Sequence, residues 1–449
     1  MNERSSQSNR DASNQKIKIS RNVIALGFVS LFTDAASEMI YPLVPILVTL
    51  LGSSALVLGV IEGVAETTAA MLKLVSGIIS DRVGKRKILV IIGYGISTLI
   101  RPLTGAVTAA WQIVFVRMTD RVGKGVRTAP RDALIASSVD ERIRGKAYGF
   151  HRAMDHTGAV VGPILAITVM AVLMLLFQVQ APLSILRWTF YLSIIPGLCA
   201  LTALIAFVED KTEPALKTGK FNFSLKQFDS NFIRYLGIVI LFTLGNSSDA
   251  FLLLRIRDTF HHSQSLYSVM GAVPLIGNLI SRFGDAETQE KLMDILFIPM
   301  VWGYFNVIKA AFSTHLGALS DRIGRKKVIH IGWGIYTVVY LAFALLDRLP
   351  EGSRIFATLV LFTVYALYYA ACEGTEKAFV ADLVRSEVRG SAFGLYNFAV
   401  GLGALPASVI FGLLYKTLGA PVAFGIGGLL AFGAMILLAV TVKEKSRSD

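Results

Sequence analysis

The strongest constraint on this chain is a stretch that occurs twice, once in each half of its 449 residues. The first copy, Gly77 to Lys87, reads GIISDRVGKRK, and the second, Gly317 to Lys327, reads GALSDRIGRKK. Positive charge directly after an apolar run orients a membrane span toward the cytoplasm and by itself says nothing more. Two copies at matching places, however, predict an internally duplicated membrane protein.

The composition is that of an integral membrane protein. Hydrophobic residues make up 54% of the chain and charged residues only 17%, and the mean hydropathy is +0.60. A bilayer span needs about 20 apolar residues, so the chain has room for roughly a dozen spans with short connections. The net charge of +13 resides mainly in loops that alternate by the positive-inside rule. It therefore indicates topology, and we expect no nucleic-acid partner.

Both copies of the repeat match in full the pattern Gly-x-x-x-Asp-Arg-x-Gly-Arg/Lys-Arg/Lys. This pattern resembles the loops between helices 2 and 3, and between helices 8 and 9, of the major facilitator superfamily. The resemblance implies an all-α integral membrane fold of twelve transmembrane helices in two pseudo-symmetric six-helix bundles. It also implies that the two loops latch the cytoplasmic side of the protein when the cavity faces outward. The residues that inherit this latch role are Gly77, Asp81, Arg82, Gly84, Gly317, Asp321, Arg322 and Gly324.

Further repeats support the duplication and place its boundaries. The octets at Leu26 and Leu236 read LGFVSLFT and LGIVILFT, and the hexets at Arg144 and Arg389 read RGKAYG and RGSAFG. The repeat spacing widens between helices 7 and 8, which predicts an inserted external loop near 260–294. The predicted division is a cytoplasmic tail at 1–22, bundles at 23–208 and 232–442, a cytoplasmic linker at 209–231 and a tail at 443–449.

Helices 1 and 2 each carry two carboxylates four residues apart, Asp34 with Glu38 and Glu62 with Glu66. Such pairs face one side of a helix, and a charge near the membrane centre costs about 2.5 to 3.5 kcal/mol, so it usually faces a cavity or a partner. We expect these carboxylates to carry protons or contact substrate. The alternatives are buried ion pairs with helix 4, or a static bridge from Lys73 to Glu66.

Helix 4 carries Arg117, Asp120, Arg121 and Arg127. It resembles the family pattern Leu-x-x-x-Arg-x-x-Gln-Gly-x-Gly, but Asp120 and Arg121 replace Gln and Gly. The resemblance implies that Arg117 pairs with a titrating carboxylate. The surplus of arginine suggests an anionic or zwitterionic ligand group, although salt bridges to the carboxylates could consume it. At the end of helix 3, Arg101 is expected to reach the outer interface.

Helix 5 places Asp155 among polar residues at its start and then carries Gly158, Gly162 and Pro163. The last three resemble a motif associated with antiporters of the superfamily, although they would also serve close helix packing. In the second half the helix 7 repeat lacks the carboxylate pair, so we expect asymmetric ion chemistry. In the second half of the chain, Lys309 and Glu373 are the candidate cavity residues.

These features predict proton-coupled efflux of a small organic compound by alternating access between the two halves. The hypothesis is that proton and substrate compete for the carboxylates of helices 1 and 2. A symporter that imports a small organic anion is the alternative, and a non-transporting sensor or scaffold is a third. The sequence contains no Walker, HExxH or GxSxG motif, which argues against an ATPase or a hydrolase.

The same interpretation predicts where the protein resides and what it needs. We expect a monomer in a prokaryotic inner membrane, with both termini in the cytoplasm. Its partners would be lipid, protons and the small-molecule substrate. It would use the proton gradient as energy source, with no cofactor and no metal.

Overall fold

A computed structural model of the protein describes residues 19–83, 86–139, 144–210, 228–261, 263–283, 285–385 and 388–443. Within these ranges the side chains of residues 74, 77–83, 144–146, 275, 321 and 389–390 are not described. Every regular element in the described ranges is a helix.

The N-terminal half contains six spans that alternate in direction. They are span 1 (Arg21–Glu38, continued by Tyr41–Leu43 and Val44–Leu50), span 2 (Ala55–Val83), span 3 (Arg86–Ile100, extended by Arg101–Ala106), span 4 (Ala110–Ser137), span 5 (Arg144–Leu175) and span 6 (Pro182–Leu192 with Ile194–Phe207). Span 1 is interrupted around Pro42 and Pro45, because proline lacks the amide donor that a continuous helix needs.

The C-terminal half also contains six spans. They are span 7 (Ser230–Gly245 with Ala250–Phe260), span 8 (Ala286–Ile323), span 9 (Arg325–Ala344), span 10 (Glu351–Leu383), span 11 (Arg389–Leu418) and span 12 (Ala420–Thr441). Span 7 is interrupted near its middle, as span 1 is, by the non-helical residues 246–249.

Eleven of the twelve spans are long and apolar enough to cross a membrane. Span 4 is the exception because of its charges, although its 28 residues make it about 42 Å long at 1.5 Å per residue. It packs against spans 2 and 3, so protein surrounds much of its charged surface. The predicted twelve-helix fold is confirmed.

The outer surface of the bundle is apolar. Large side chains stand exposed on several spans, among them Leu99, Trp111, Phe177, Phe356 and Val440. Such a surface suits contact with lipid tails. The fold is therefore that of a multi-pass membrane protein.

The segment predicted as an external loop near 260–294 is largely helical in its described part. Two short helices, Gln264–Gly271 and Pro274–Ile280, are followed by Ala286, where span 8 begins. Span 8 is 38 residues long, about 57 Å at 1.5 Å per residue, so its first turns can lie outside the membrane and the bounds of the inserted loop stay a prediction. Asp285 caps span 8 by accepting a hydrogen bond from the Thr288 amide at 2.7 Å, and that bond holds the pKa of Asp285 below its ordinary value.

We call the end of the molecule where spans 2 and 8 finish the latch end, and the opposite end the far end. Spans 2 and 11, and spans 5 and 8, are in contact between the halves. At the far end the helix Val44–Leu50 of span 1 packs on Ala250–Phe260 of span 7, and the apolar core there includes Leu47 and Phe251. The halves are thus closed against each other at the far end.

Candidate functional site

A cavity of about 710 Å³ lies between the two halves and is lined by spans 1 to 5, 7, 8, 10 and 11. This volume is typical of small-molecule sites. Its lining extends from Trp302, near the closed far end, to Asp132 and Tyr148. The last two side chains are largely exposed, so the cavity leads toward the latch end.

The lining contains eight carboxylates and nine basic side chains besides two histidines. The carboxylates are Asp34, Glu38, Glu62, Glu66, Asp132, Asp155, Asp249 and Glu373. The basic residues are Lys73, Arg117, Arg121, Lys124, Arg127, Arg131, Arg152, Lys309 and Lys377. The N-terminal half therefore supplies most of the charge.

The structure brings together all but one of the residues that the sequence placed in a cavity. Those that line it are Asp34, Glu38, Glu62, Glu66, Arg117, Arg121, Arg127, Asp155, Lys309 and Glu373. Their roles in coupling or binding stay predictions.

Asp120 is the exception, because it lies behind the cavity wall. Its carboxylate accepts from Arg101 Nε at 2.9 Å, and both side chains are buried. Arg101 also donates to the Thr33 carbonyl oxygen at 2.9 Å, so it does not reach the outer interface as expected. The pair joins spans 1, 3 and 4, since a buried carboxylate without a partner would be costly.

Glu62 and Arg117 form the most deeply buried ion pair of the cavity. The distance from Arg117 Nη2 to Glu62 Oε1 is 2.8 Å, and the glutamate side chain is 1% exposed. Ser248 of span 7 donates to Glu62 Oε2 at 3.2 Å, and the Arg117 guanidinium lies 5.4 Å from the centre of the Tyr41 ring. This network joins spans 1, 2 and 4 to the C-terminal half.

Glu66, one helical turn further along span 2, pairs with Arg121 at 3.0 Å. The glutamate side chain is 45% exposed, whereas that of Arg121 is 11% exposed. Lys73 lines the same cavity but makes no ion pair with Glu66 within 4.0 Å in the described structure. The arginine of span 4, rather than Lys73, therefore neutralises Glu66.

Asp34 differs from these carboxylates because it lacks a basic partner. Among the residues that the structure describes, no lysine, arginine or histidine nitrogen lies within 4.0 Å of its carboxylate. On span 5, Asp155 accepts from the Ser30 hydroxyl and lies 3.7 Å from His151 Nδ1. Unlike Glu62 and Glu66, Asp34 is thus not neutralised by a fixed ion pair with a described residue.

Arg127 is held by neutral groups. It donates to the Ser97 hydroxyl at 2.5 Å, and its guanidinium lies 4.5 Å from the centre of the Tyr94 ring. Both partners belong to span 3. An aromatic face stabilises a cation without neutralising it. Arg127 therefore contributes a positive charge to the cavity wall.

Glu38 bonds across the two halves. Its carboxylate accepts from the indole Nε1 of Trp302, on span 8, at 2.6 Å. Trp302 also packs against Tyr41, with ring centroids 5.2 Å apart. Like the bond from Ser248 to Glu62, this contact lies next to the closed far end and would have to break for the cavity to open there.

Asp249, like Asp132, is a cavity carboxylate that sequence reasoning did not propose. It accepts from Tyr365 at 2.6 Å and from Tyr369 at 3.0 Å, both on span 10. Its position beside the interruption of span 7 could have indicated it, since the first carboxylate pair lies just before the interruption of span 1.

The glycines of the helix 5 motif form a close contact between spans 1 and 5. A Cβ on Gly162 would lie 2.6 Å from Glu38 Cβ, and one on Gly158 would meet the Leu31 carbonyl oxygen and approach Asp34 Cβ to 3.0 Å. Pro163 faces Gly303 of span 8. The motif therefore sets the position of the helix that carries Asp34 and Glu38.

An ion pair within the cavity lining also joins the two halves. Arg152 of span 5 and Glu373 of span 10 are 3.0 Å apart, with side chains 44% and 34% exposed.

The predicted latch is only partly described. Gly84 lies outside the described residues, and the side chains of Asp81, Arg82 and Asp321 and the surroundings of Gly77 are not described. Arg322 is exposed, nothing lies within 4 Å of a Cβ on Gly317, and Gly324 has a φ of +100°, which favours glycine at the turn between spans 8 and 9. Arg325, which follows, pairs with Asp382 of span 10 at 2.6 Å.

No group of three or more His, Cys, Asp or Glu side chains in the described part of the chain is arranged to hold a metal ion.

Comparison with known proteins decides the family. The sequence model of the Major Facilitator Superfamily matches residues 26–304 and 289–449. The chain belongs to the major facilitator superfamily. An uncharacterised transporter of this type from Methanocaldococcus jannaschii is 33% identical over 421 residues, which cover 94% of this chain and 95% of that protein. Members of this family are membrane transporters and not enzymes, so this major facilitator protein is a transporter of small molecules.

Two further comparisons concern more distant proteins. A probable 4-methylmuconolactone transporter of Cupriavidus pinatubonensis is 27% identical over 412 residues, or 89% of this chain and 86% of that protein. The crystal structure of a D-xylose-proton symporter superposes with a TM-score of 0.67 at 13% identity and covers 94% of this chain and 98% of that chain. The latter supports the major facilitator fold alone.

Proposed function

We propose that the protein exports a small polar organic compound in exchange for protons, and that Asp34 is the residue that carries the proton. The observation that supports this proposal is the contrast between Asp34, which has no ion-pair partner among the described residues, and its neighbours Glu62 and Glu66, which pair with arginine. A carboxylate without a fixed cation can exchange a proton for a ligand at low cost.

Coupling would act through the bonds between the halves. With its latch end in the cytoplasm, as the basic residues after spans 2 and 8 indicate, the cavity would load substrate from the cytoplasm. In exchange, the cavity that has bound substrate and released its proton opens at the far end, which requires the bonds from Trp302 to Glu38 and from Ser248 to Glu62 to break. Protonation of Asp34 from that side would then favour closure of the far end and return to the cytoplasm. One proton moving across 100 mV supplies about 2.3 kcal/mol.

Proton movement in liposomes tests the proposal. The purified protein is reconstituted with a pH-sensitive dye in an acidic lumen, and 4-methylmuconolactone heads a panel of small organic compounds added outside. Exchange predicts that a transported compound makes the lumen more alkaline, because protons leave as the compound enters. This response should be lost in Asp34→Asn. If Asp34→Asn keeps the full response, the proposal is wrong.

Glu376→Gln is the matched control. Glu376 is a membrane carboxylate of span 10 that does not line the cavity. It accepts from Trp333 Nε1 at 2.8 Å and from the Tyr396 hydroxyl at 2.7 Å, and a glutamine keeps an acceptor oxygen. Its response should equal that of the wild type.

Symport of a small organic anion is the second candidate. Lys124 and Lys309 line the cavity without an ion-pair partner among the described residues, and such ammonium groups could bind an anion. Symport predicts the opposite sign in the same assay, since the proton and the compound would enter together and acidify the lumen further.

We also propose that the protein resides in the inner membrane of a prokaryote and acts as a monomer with both termini in the cytoplasm. The monomer is supported by a cavity and a closed far end that one chain forms by itself. The orientation is supported by the basic residues after spans 2 and 8.

A further inference from the structure

We propose that the C-terminal wall of the cavity is a subsite for an organic ammonium group, and that the side chain of Lys309 occupies it until substrate arrives. The inference rests on the proposed function only in taking this cavity as the substrate site. It narrows the substrate to amine-bearing compounds.

Aromatic rings form one side of the subsite. Trp302 and Tyr369 line the cavity. Phe305 does not line it and is 1% exposed, but it stacks on Trp302 with centroids 4.8 Å apart and meets Tyr369 edge to face at 5.7 Å. Tyr41 of span 1 adds a fourth ring, 5.2 Å from Trp302. The faces of such rings carry negative charge density, which attracts organic cations and repels anions.

Two carboxylates accompany the rings. Asp249 is held in place by the hydroxyl groups of Tyr365 and Tyr369, and Glu38 is held by the indole of Trp302. All of these donors are neutral, so they orient the carboxylates without cancelling their charge. Within the described structure no basic nitrogen lies within 4.0 Å of Asp249.

Lys309 shows that this wall accepts a cation. Its ammonium nitrogen lies 5.5 Å from the centre of the Phe305 ring and 5.6 Å from that of Tyr369. Both distances fall within the range of cation–π attraction. Because the lysine stem is long and flexible, the ammonium can move aside when a ligand cation takes its place. Lys309 would then act as a tethered competitor.

Two carboxylates of the N-terminal wall are already neutralised and are therefore less available to an ammonium group. Glu62 and Glu66 already pair with Arg117 and Arg121, and an incoming ammonium would have to displace a guanidinium held by a short ion pair. At the C-terminal wall, an incoming ammonium needs to displace only the Lys309 side chain, which lies against aromatic rings.

Binding of three matched five-carbon compounds tests the subsite. Calorimetry is performed on the protein in lipid nanodiscs, without any proton gradient, using cadaverine as the dication, glutarate as the dianion and 1,5-pentanediol as the neutral compound. Empty nanodiscs serve as the blank. Cadaverine should bind the wild type at least tenfold more tightly than pentanediol.

The variants should move cadaverine affinity in opposite directions. Asp249→Asn should weaken it about tenfold, the loss of roughly one charged contact. Lys309→Met should strengthen it severalfold because the competitor is gone, an increase that damage to the fold would not produce, while Lys309→Arg should stay close to the wild type. Glutarate affinity should not fall in Asp249→Asn.

Cadaverine binding that is absent from the wild type and from Lys309→Met would overturn the inference, as would affinities equal in all four proteins. The assay needs no proton coupling. The two proposals can therefore fail separately. If the wild type binds cadaverine as expected but the Asp34→Asn variant still exchanges protons, the proposed coupling is wrong and the subsite stands.

Discussion

Two carboxylates of the N-terminal wall of the cavity, Glu62 and Glu66, pair with arginine, whereas Asp249 in the C-terminal wall is held by tyrosine. Glu62 pairs with Arg117, but Asp249 accepts from two tyrosines. An ion pair loses most of its attraction when the carboxylate is protonated, while a bond from a neutral hydroxyl changes less. Under the proposed function, the first wall would respond to protons and the second would keep its shape for recognition.

The largest expected effect compares two buried arginines, one in each half. Arg101→Ala would leave Asp120 buried and unpaired, which costs about 3 to 5 kcal/mol. Arg255→Ala should cost clearly less, because its partner Asp347 is 48% exposed and can be hydrated. Thermal unfolding in detergent measures both, and equal losses would contradict the contrast between the halves.

The next effect concerns the two glycine contacts related by the duplication. Gly158→Ala would press a methyl group on the Leu31 carbonyl of the backbone and should cost about 1 to 3 kcal/mol. Gly403→Ala would meet the methyl and Cβ of Thr243, 2.9 and 3.0 Å away, a longer contact than that of Gly158 with the backbone, so we expect a smaller loss. Gly95→Ala, with nothing within 4 Å, is the control. Thermal unfolding of all three variants should rank them in this order, and a Gly158→Ala variant as stable as Gly95→Ala would show that spans 1 and 5 are not tightly packed.

A third comparison separates a bond between the halves from a bond within one half. Trp302→Phe removes the donor to Glu38 across the halves, and Trp333→Phe removes the donor to Glu376 within the C-terminal half. Each bond to a carboxylate is worth about 1.5 to 3 kcal/mol.

Amide hydrogen exchange distinguishes these two variants. Exchange at residues 39–50, in the far-end closure, should quicken in Trp302→Phe by about tenfold and stay unchanged in Trp333→Phe. The same exchange in both would mean that the Glu38 bond does not keep the far end closed.

The smallest effect is expected for the ion pair between Arg152 and Glu373 in the cavity lining. Arg152→Gln removes the pair with Glu373, whose partners are 44% and 34% exposed. Pairs of this exposure contribute at most about 1 kcal/mol, and 1 M salt should abolish the difference from the wild type. Unfolding temperatures at two salt concentrations measure it, and a loss above 2 kcal/mol would place Arg152 in the buried network instead.

Much of the fold could be predicted because membrane spans are defined locally. The duplicated stretches and the apolar runs predicted twelve helices in two halves, and span 4 was assigned although its charges exclude it from the apolar spans. The start of a helix at Ala286, inside the predicted external loop, was not foreseen, because the cap at Asp285 depends on a single bond to Thr288 that hydropathy does not register.

The candidate site was predicted less completely. Helical spacing places Glu62 and Glu66 on one face of span 2, and charged groups in a membrane need polar partners or water. A polar cavity could therefore be predicted. The choice of partner did not follow: Arg121 rather than Lys73 meets Glu66, and Arg101 is buried against Asp120. Both depend on which faces of spans 2, 3 and 4 meet.

The sequence alone determined that this is a helical membrane protein and that its two halves are duplicated, because apolar runs and repeated stretches can be recognised locally. It also determined which charges must avoid lipid, because a polar group is costly in a bilayer and an α-helix repeats every 3.6 residues. Only the tertiary structure decided how those charges pair, that Asp34 has no basic partner among the described residues, and that Asp249 and Lys309 share a wall with aromatic rings. Ion pairs and ring contacts act over a few ångströms between spans distant in sequence, and the packing of those spans sets these distances.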